Sequence, residues 1–144
     1  VVGIVVSDNY CFVDGSYNKE TKTYGYGGFL VSNGTEHIIQ GSGTDLKHSK
    51  MWNIAGELMG SIAAIDKAIE LGLGSITIYY DYLGIEKWAK GEWKRNHPAT
   101  IEYHRYYNSI KDKINVKFIK VKSHSGIKGN ERADILAKEA VGII

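Results

Sequence analysis

Asn33-Gly34 is the feature that most constrains this chain. The pair stands between two short β-rich runs, Gly27-Gly28-Phe29-Leu30-Val31 and His37-Ile38-Ile39-Gln40-Gly41. Asparagine followed by glycine readily takes the positive φ angles of a tight hairpin, so the two runs are expected to pair antiparallel. Tyr10-Cys11-Phe12-Val13-Asp14-Gly15 precedes them as a strand ending at a turn. After them the period changes. Ile54, Leu58, Ile62, Ile65 and Ile69 recur at steps of four and three, one face of a helix that should end near Leu71-Gly72. Ser75–Tyr80 is a short β-branched apolar run that reads as a buried strand, with a short helix around Ile85–Ala89 after it. Pro98 suits the first turn of a helix whose apolar face is Tyr103, Tyr107, Ile110 and Ile114. Val116–Val121 alternates as a fifth strand, and Ala133, Leu136, Ala137 and Ala140 mark a final helix. The order βββαβααβα predicts a mixed α/β fold, a five-stranded mixed sheet with helices on its faces.

Length and composition narrow the class. The 144 residues are expected to form a single domain spanning 1–144. A chain of that size can bury roughly 68–70% of its unfolded surface, so it needs no staple. Cys11 is the sole cysteine, which excludes a disulfide framework and a cysteine-built zinc site. No apolar run approaches the ~20 residues of a membrane span, and Val1–Val6 lacks the basic flank and length of a secretory signal core. A soluble, cytoplasmic, monomeric protein without a membrane partner is expected. The missing initial Met fits a domain cut from something longer. With 18 basic and 16 acidic residues the net charge is +2, too small to announce a polyanion partner. Distribution says more: Lys111, Lys113, Lys117, Lys120, Lys122 and Lys128 face only Asp112 in their stretch, and Lys87, Lys90, Lys94 and Arg95 surround Trp88 and Trp93. Such clusters can track a phosphate backbone, or simply solvate a surface.

The acids are anomalous in placement. Asp14 shares a strand face with Tyr10 and Phe12, and Asp81 directly follows Ile76–Tyr80. Glu57 lies in the first turns of a mostly apolar helix, and Glu131 and Asp134 share a face of the last one. A carboxylate at the end of an apolar run loses hydration, a cost that a cation or hydrogen-bond donors must offset. Each has an ordinary alternative as a turn residue, helix cap, first-turn dipole partner or solvated charge. Together, two carboxylates at strand ends and two on helices can converge in such a sheet. Carboxylates without His or Cys partners suit the hard cations Mg²⁺ or Mn²⁺, and paired ions are a recurrent solution for displacement at phosphorus.

Four motifs carry a resemblance. Asp14-Gly15-Ser16 after a strand, Asn53-Ile54-Ala55-Gly56-Glu57-Leu58 at a helix start, Asp81 after Ile78-Tyr79-Tyr80, and His124-Ser125-Gly126 with Asn130-Glu131-Arg132-Ala133-Asp134 occur in this order. Together they resemble type 1 ribonuclease H, over nearly the whole chain from about Tyr10 to Val141. The resemblance implies an RNase H-like fold whose first three strands are antiparallel. It implies an endonuclease that hydrolyses the RNA strand of an RNA–DNA hybrid, leaving 5′-phosphate and 3′-hydroxyl ends. By that resemblance Asp14, Glu57, Asp81 and Asp134 would ligate two Mg²⁺ ions, with Mn²⁺ able to substitute, and Asp14 would bridge them. His124 matches the family's mobile-loop histidine, linked to proton transfer or product release, and Glu131 an auxiliary acid. Asn53 matches a position that contacts the minor groove, and Gly15 and Ser16 would bring backbone close to the RNA. Trp52, Trp88 and Trp93 are candidates for stacking on sugars or bases, and Lys122 for a backbone contact.

The chain also departs from the family pattern. Tyr82-Leu83 follows Asp81 where many members have Ser and Gln, and the extra basic helix of many bacterial members is missing between Gly91 and Pro98. Members without that helix often carry an N-terminal hybrid-binding domain upstream. The alternatives are a non-catalytic nucleic-acid-binding module of the same fold, the RNase H domain of a reverse transcriptase polyprotein, or a resolvase- or integrase-like nuclease.

Overall fold

The computed structural model of the protein describes residues 9–45, 48, 50–122 and 126–144. Val1–Val6, His124 and Ser125 lie outside the described residues. Strands β1 (Asn9–Asn18), β2 (Thr23–Ser32) and β3 (Thr35–Gly43) form an antiparallel meander. Its second turn is Asn33-Gly34, with φ of 51° and 76°, the pair of positive angles that the sequence requires there. All three strands are longer than the sequence pattern predicts: β1 does not end at a turn at Gly15 but stays paired with β2 as far as Asn18, and β2 begins at Thr23 rather than Gly27. Helix α1 (Asn53–Glu70) follows, then β4 (Ser75–Tyr80), α2 (Gly84–Ala89), α3 (Pro98–Ile110), β5 (Asn115–Lys120) and α4 (Lys128–Ala140). The sheet order is β3-β2-β1-β4-β5, with β1, β4 and β5 parallel. The expected mixed α/β order holds element by element.

Alternation sorts the side chains into two layers. Cys11, Val13, Leu30, Ile76, Ile78 and Tyr80 turn to one face, and bury Leu58, Ile65, Ile85, Ala89 and Tyr103 against them. That is the main core, roofed by α1, α2 and α3. The Tyr103 hydroxyl crosses it, donating to the Ile85 carbonyl at 2.7 Å and meeting Ser61 Oγ at 3.1 Å. On the other face Phe12 stacks on Phe29 and Tyr79, and α4 lies over them. Gly27 has no room for a side chain there, because a Cβ would stand 2.1 Å from the Ala137 nitrogen.

Two boundaries in the second half of the chain also differ from expectation. Helix α3 ends at Ile110, so Ile114 is buried from a tight turn rather than from a helix face. The N–H groups of Lys113 and Ile114 both reach back to the Ile110 carbonyl, which closes that turn. Val121 falls just beyond β5, yet its N–H donates to the Tyr80 carbonyl at 2.7 Å. Pro98 opens α3 as expected, and His97 caps it by accepting the Ala99 N–H on Nδ1 at 3.0 Å.

Candidate active site

Pairing between β1 and β4 stops at Phe12 and Tyr79. Beyond it β1 continues with β2 alone, while β4 ends at Tyr80. The carboxyl ends of the parallel strands therefore border a crevice at the place where the chain order reverses, the usual ligand position in an open α/β sheet. Asp14 and Asp81 stand at that crevice because each follows the last paired residue, Phe12 or Tyr79, by two positions, and so by strand alternation falls on the same face.

Gly15 decides what joins them. A Cβ on Gly15 would lie 2.4 Å from the Asn53 carbonyl oxygen and 2.5 Å from the Glu57 nitrogen, so the first turns of α1 rest directly on β1. The Gly15 N–H then donates to both Asp14 Oδ1, at 2.9 Å, and Glu57 Oε1, at 3.2 Å. One backbone donor draws two carboxylates together. Asp14, Glu57 and Asp81 each offer an oxygen within 4.8 Å of the others. At such spacing two full charges repel by roughly 3–4 kcal/mol at an effective dielectric of about 20. Burial adds to this, with Asp14 6% and Glu57 2% exposed. Burial foremost, then the charges of Asp81 and Asp134, push Asp14 up to about 6 against the donated bonds. Burial and the neighbouring Asp14 hold Glu57 well above the usual carboxylate range.

The cleft encloses about 260 Å³ and is lined by Asp14, Gly15, Asn53, Glu57, Asp81, Tyr82 and Asp134. Among the described residues no Lys, Arg or His lines it. Glu57 Oε2 is buried without a hydrogen-bond partner. An orphaned carboxylate oxygen facing two more carboxylates is a donor set suited to a hard divalent cation, so the residues present fit the metal that the sequence implies.

Other candidates are placed less uniformly. Asp134 lines the cleft from α4 but lies outside the tight trio, and its carboxylate pairs with Lys138 Nζ at 3.0 Å. Glu131 is exposed and borders an adjoining hollow with Asp14, Asn130, Asp134 and Ile135. Asn53 is exposed at the start of α1 and lines the cleft. Ser16 is buried in β1 and lies away from the cleft lining. Lys122 follows β5 on the surface, likewise outside that lining. Trp88 and Trp93 meet edge-to-face at 5.5 Å, with Tyr82 against both. Two lysines of their basic cluster are engaged by acids, Lys87 with Glu92 and Lys90 with Glu86. Trp52 is 64% exposed and sits beside the cleft in a separate hollow.

Two residues join the site that the sequence does not assign to it. Tyr82, which the sequence marks only as a departure from the family pattern after Asp81, lines the cleft. Asn130 is buried with its Oδ1 unpartnered at the foot of α4, and no periodicity marks it out.

A family model described as RNase H matches residues 7–142. The chain belongs to the RNase H family. Its RNase H relatives include the protein named Ribonuclease H of Francisella philomiragia subsp. philomiragia, 33% identical over 154 residues, covering 97% of this chain and 96% of the relative. That of Francisella tularensis subsp. novicida is 34% identical, covering 90% and 88%. Solved structures share the RNase H fold. RNase H1 from the halophilic archaeon Halobacterium salinarum has a TM-score of 0.72 at 23% identity, covering 94% of this chain and 98% of that one. LC11-RNase H1, solved in complex with an RNA/DNA hybrid, has a TM-score of 0.73 at 19% identity, covering 92% and 96%. Family and fold together support a ribonuclease.

Proposed function

We propose that this protein hydrolyses the RNA strand of RNA–DNA hybrids, leaving 5′-phosphate and 3′-hydroxyl ends, with divalent metal ions held by Asp14, Glu57, Asp81 and Asp134. The observation that carries the reading is the trio of Asp14, Glu57 and Asp81 oxygens within 4.8 Å, two of them on nearly inaccessible residues and one oxygen of Glu57 unpartnered. Such an arrangement is unfavourable unless protonated or neutralised by a cation. Bound there, a pair of Mg²⁺ ions, or Mn²⁺ in their place, supplies an acidified water and a counter-charge for the departing oxygen.

The chain's own groups do the positioning. The Gly15 N–H bonds both Asp14 and Glu57, so the oxygens that would hold the cations are oriented before metal or substrate arrives. Asp134, from the opposite layer, closes the cleft and pairs with Lys138. Asn53 and the Gly15 backbone face the groove where the RNA 2′-hydroxyls would lie, the feature that separates RNA from DNA. His124 is assigned to proton transfer or product release, and Glu131 as an auxiliary acid near the metal site, so His124→Ala should slow turnover without abolishing it.

A gel assay tests this reading with end-labelled RNA–DNA hybrid, double-stranded RNA and double-stranded DNA, each with Mg²⁺ and with EDTA. Cutting confined to the RNA strand of the hybrid, and only with Mg²⁺, is expected. Binding of hybrid without cleavage would instead indicate a non-catalytic module.

A further inference from the structure

A second hollow adjoins the acidic cleft and has the opposite chemistry. It encloses about 500 Å³ and is lined by Tyr17, Lys19, Lys22, Trp52 and Asn53. Asn53 lines both cavities, so they adjoin at the start of α1. Tyr17 stands two residues beyond Gly15 on β1, about 7 Å further along the strand. The hollow is thus the next position along the surface from the carboxylates. Its walls are two aromatic rings and two lysines, with no acid among the lining residues.

The backbone of Trp52 is the unusual feature. It has φ 57° and ψ −131°, outside the regions open to a bulky L-residue. A non-glycine residue held there is strained. Burial does not compensate, because the indole is 64% exposed. A strained backbone that presents a large exposed ring to a basic hollow points to a ligand outside the chain. The lysines are held as well. Asn18 Oδ1 accepts the N–H groups of Glu20 and Thr21, at 3.0 and 3.3 Å, and Asn18 Nδ2 donates to the Val141 carbonyl at 2.8 Å. The turn that carries Lys19 and Lys22 is therefore pinned to the body of the fold.

We propose that Tyr17, Lys19, Lys22 and Trp52 form a subsite for one sugar–phosphate unit of the bound hybrid, with the sugar against the Trp52 indole and the phosphate between the two ammonium groups. A duplex presents sugars and phosphates on its outside, and a hollow that is apolar on one wall and cationic on the other matches that unit. This deepens the proposed function and rests on it, since the subsite sets the register of the strand that enters the acidic cleft.

The test is a binding titration with labelled RNA–DNA hybrid in an Asp14→Asn background, over a range of salt, beside cleavage assays in the otherwise unaltered protein. Trp52→Ala should weaken binding at least about fivefold, and Trp52→Phe should keep most of it. In cleavage assays Trp52→Ala should raise KM more than it lowers kcat. Lys19→Ala with Lys22→Ala should reduce the slope of log K against log salt by about one. Trp52→Gly separates recognition from folding: glycine accepts the positive φ, so the melting temperature should hold or rise while affinity falls. If these variants bind with the parent's affinity and salt slope while the unaltered protein cuts hybrid normally, the subsite is wrong and the proposed function stands. If hybrid is bound in a Trp52-dependent way and never cut, the subsite stands and the function falls. If hybrid is neither bound nor cut, both fall.

Discussion

At the scale of single residues the chemistry rests on Asp14 and Glu57, two carboxyls that their surroundings press towards the neutral form. Asp14 is pushed up to about 6, by burial first and by the charges of Asp81 and Asp134 after it, and Glu57 is held higher still than a free glutamate by burial and Asp14. The folded protein therefore holds protons that the unfolded chain has released. The stability contributed by Asp14 is fully present below about pH 4 and is lost as pH rises through about 6, and Glu57 acts in the same direction. Urea midpoints in EDTA should fall for the unaltered protein between pH 4.5 and 8. Asp14→Asn removes one of the repelling charges with little change in shape, so its midpoint should fall less, and its unfolding free energy at pH 8 should be higher by about 1–3 kcal/mol. The same substitution should abolish turnover while leaving hybrid binding within a few-fold. Near-normal cleavage by Asp14→Asn would refute the metal assignment. Because the ligands must be ionised to hold metal, activity should rise with pH through about 6.

Secondary-structure elements set the distances between those residues. Helix α1 can rest on β1 and β2 only because Gly15 and Gly56 have no side chains: a Cβ on Gly56 would stand 1.9 Å from the Gly25 carbonyl oxygen. Gly15→Ala should force the helix outward, cost about 1–3 kcal/mol of stability by overpacking, and separate Glu57 from Asp14. Its loss of kcat should exceed what the lost stability explains, since the Gly15 N–H bonds both carboxylates. Gly74→Ala serves as the control, because a Cβ there meets nothing within 4 Å. It should leave kcat unchanged and stability the same or up to about 1 kcal/mol higher. Circular dichroism melts and steady-state kinetics on both variants separate the two effects.

Across the whole molecule, the four proposed ligands come from three layers: Glu57 from α1, Asp14 from β1 with Asp81 just past the end of β4, and Asp134 from α4. An ion among them ties the layers together, so Mg²⁺ should raise the melting temperature above its value in EDTA. Saturation to 100 times Kd corresponds to about 2.7 kcal/mol. Asp134→Asn should reduce that increment, since Asp134 is the ligand furthest from the tight trio, and leave the melt in EDTA nearly unchanged. An equal increment in Asp134→Asn would remove Asp134 from the ligand set. Among the described residues no helix is long and apolar enough to cross a membrane.

Elements and their order were legible in the chain because each depends on local chemistry. Asn33-Gly34 demands a hairpin, the spacing from Ile54 to Ile69 demands a helix, and Pro98 marks a helix start. The acids Asp14, Glu57, Asp81 and Asp134 were legible as anomalies of placement, and the motifs around them as a family pattern. What the sequence alone could not decide is how those acids divide. Only the packed fold shows three of them in a tight trio with Asp134 set apart, because that depends on where β1 and β4 stop pairing and on how closely Gly15 lets α1 approach. The unpartnered oxygens of Glu57 and Asn130 and the strained backbone of Trp52 are likewise invisible to periodicity. Local pattern determines which elements form; burial, proximity and backbone strain arise only when elements distant in the chain are brought into contact.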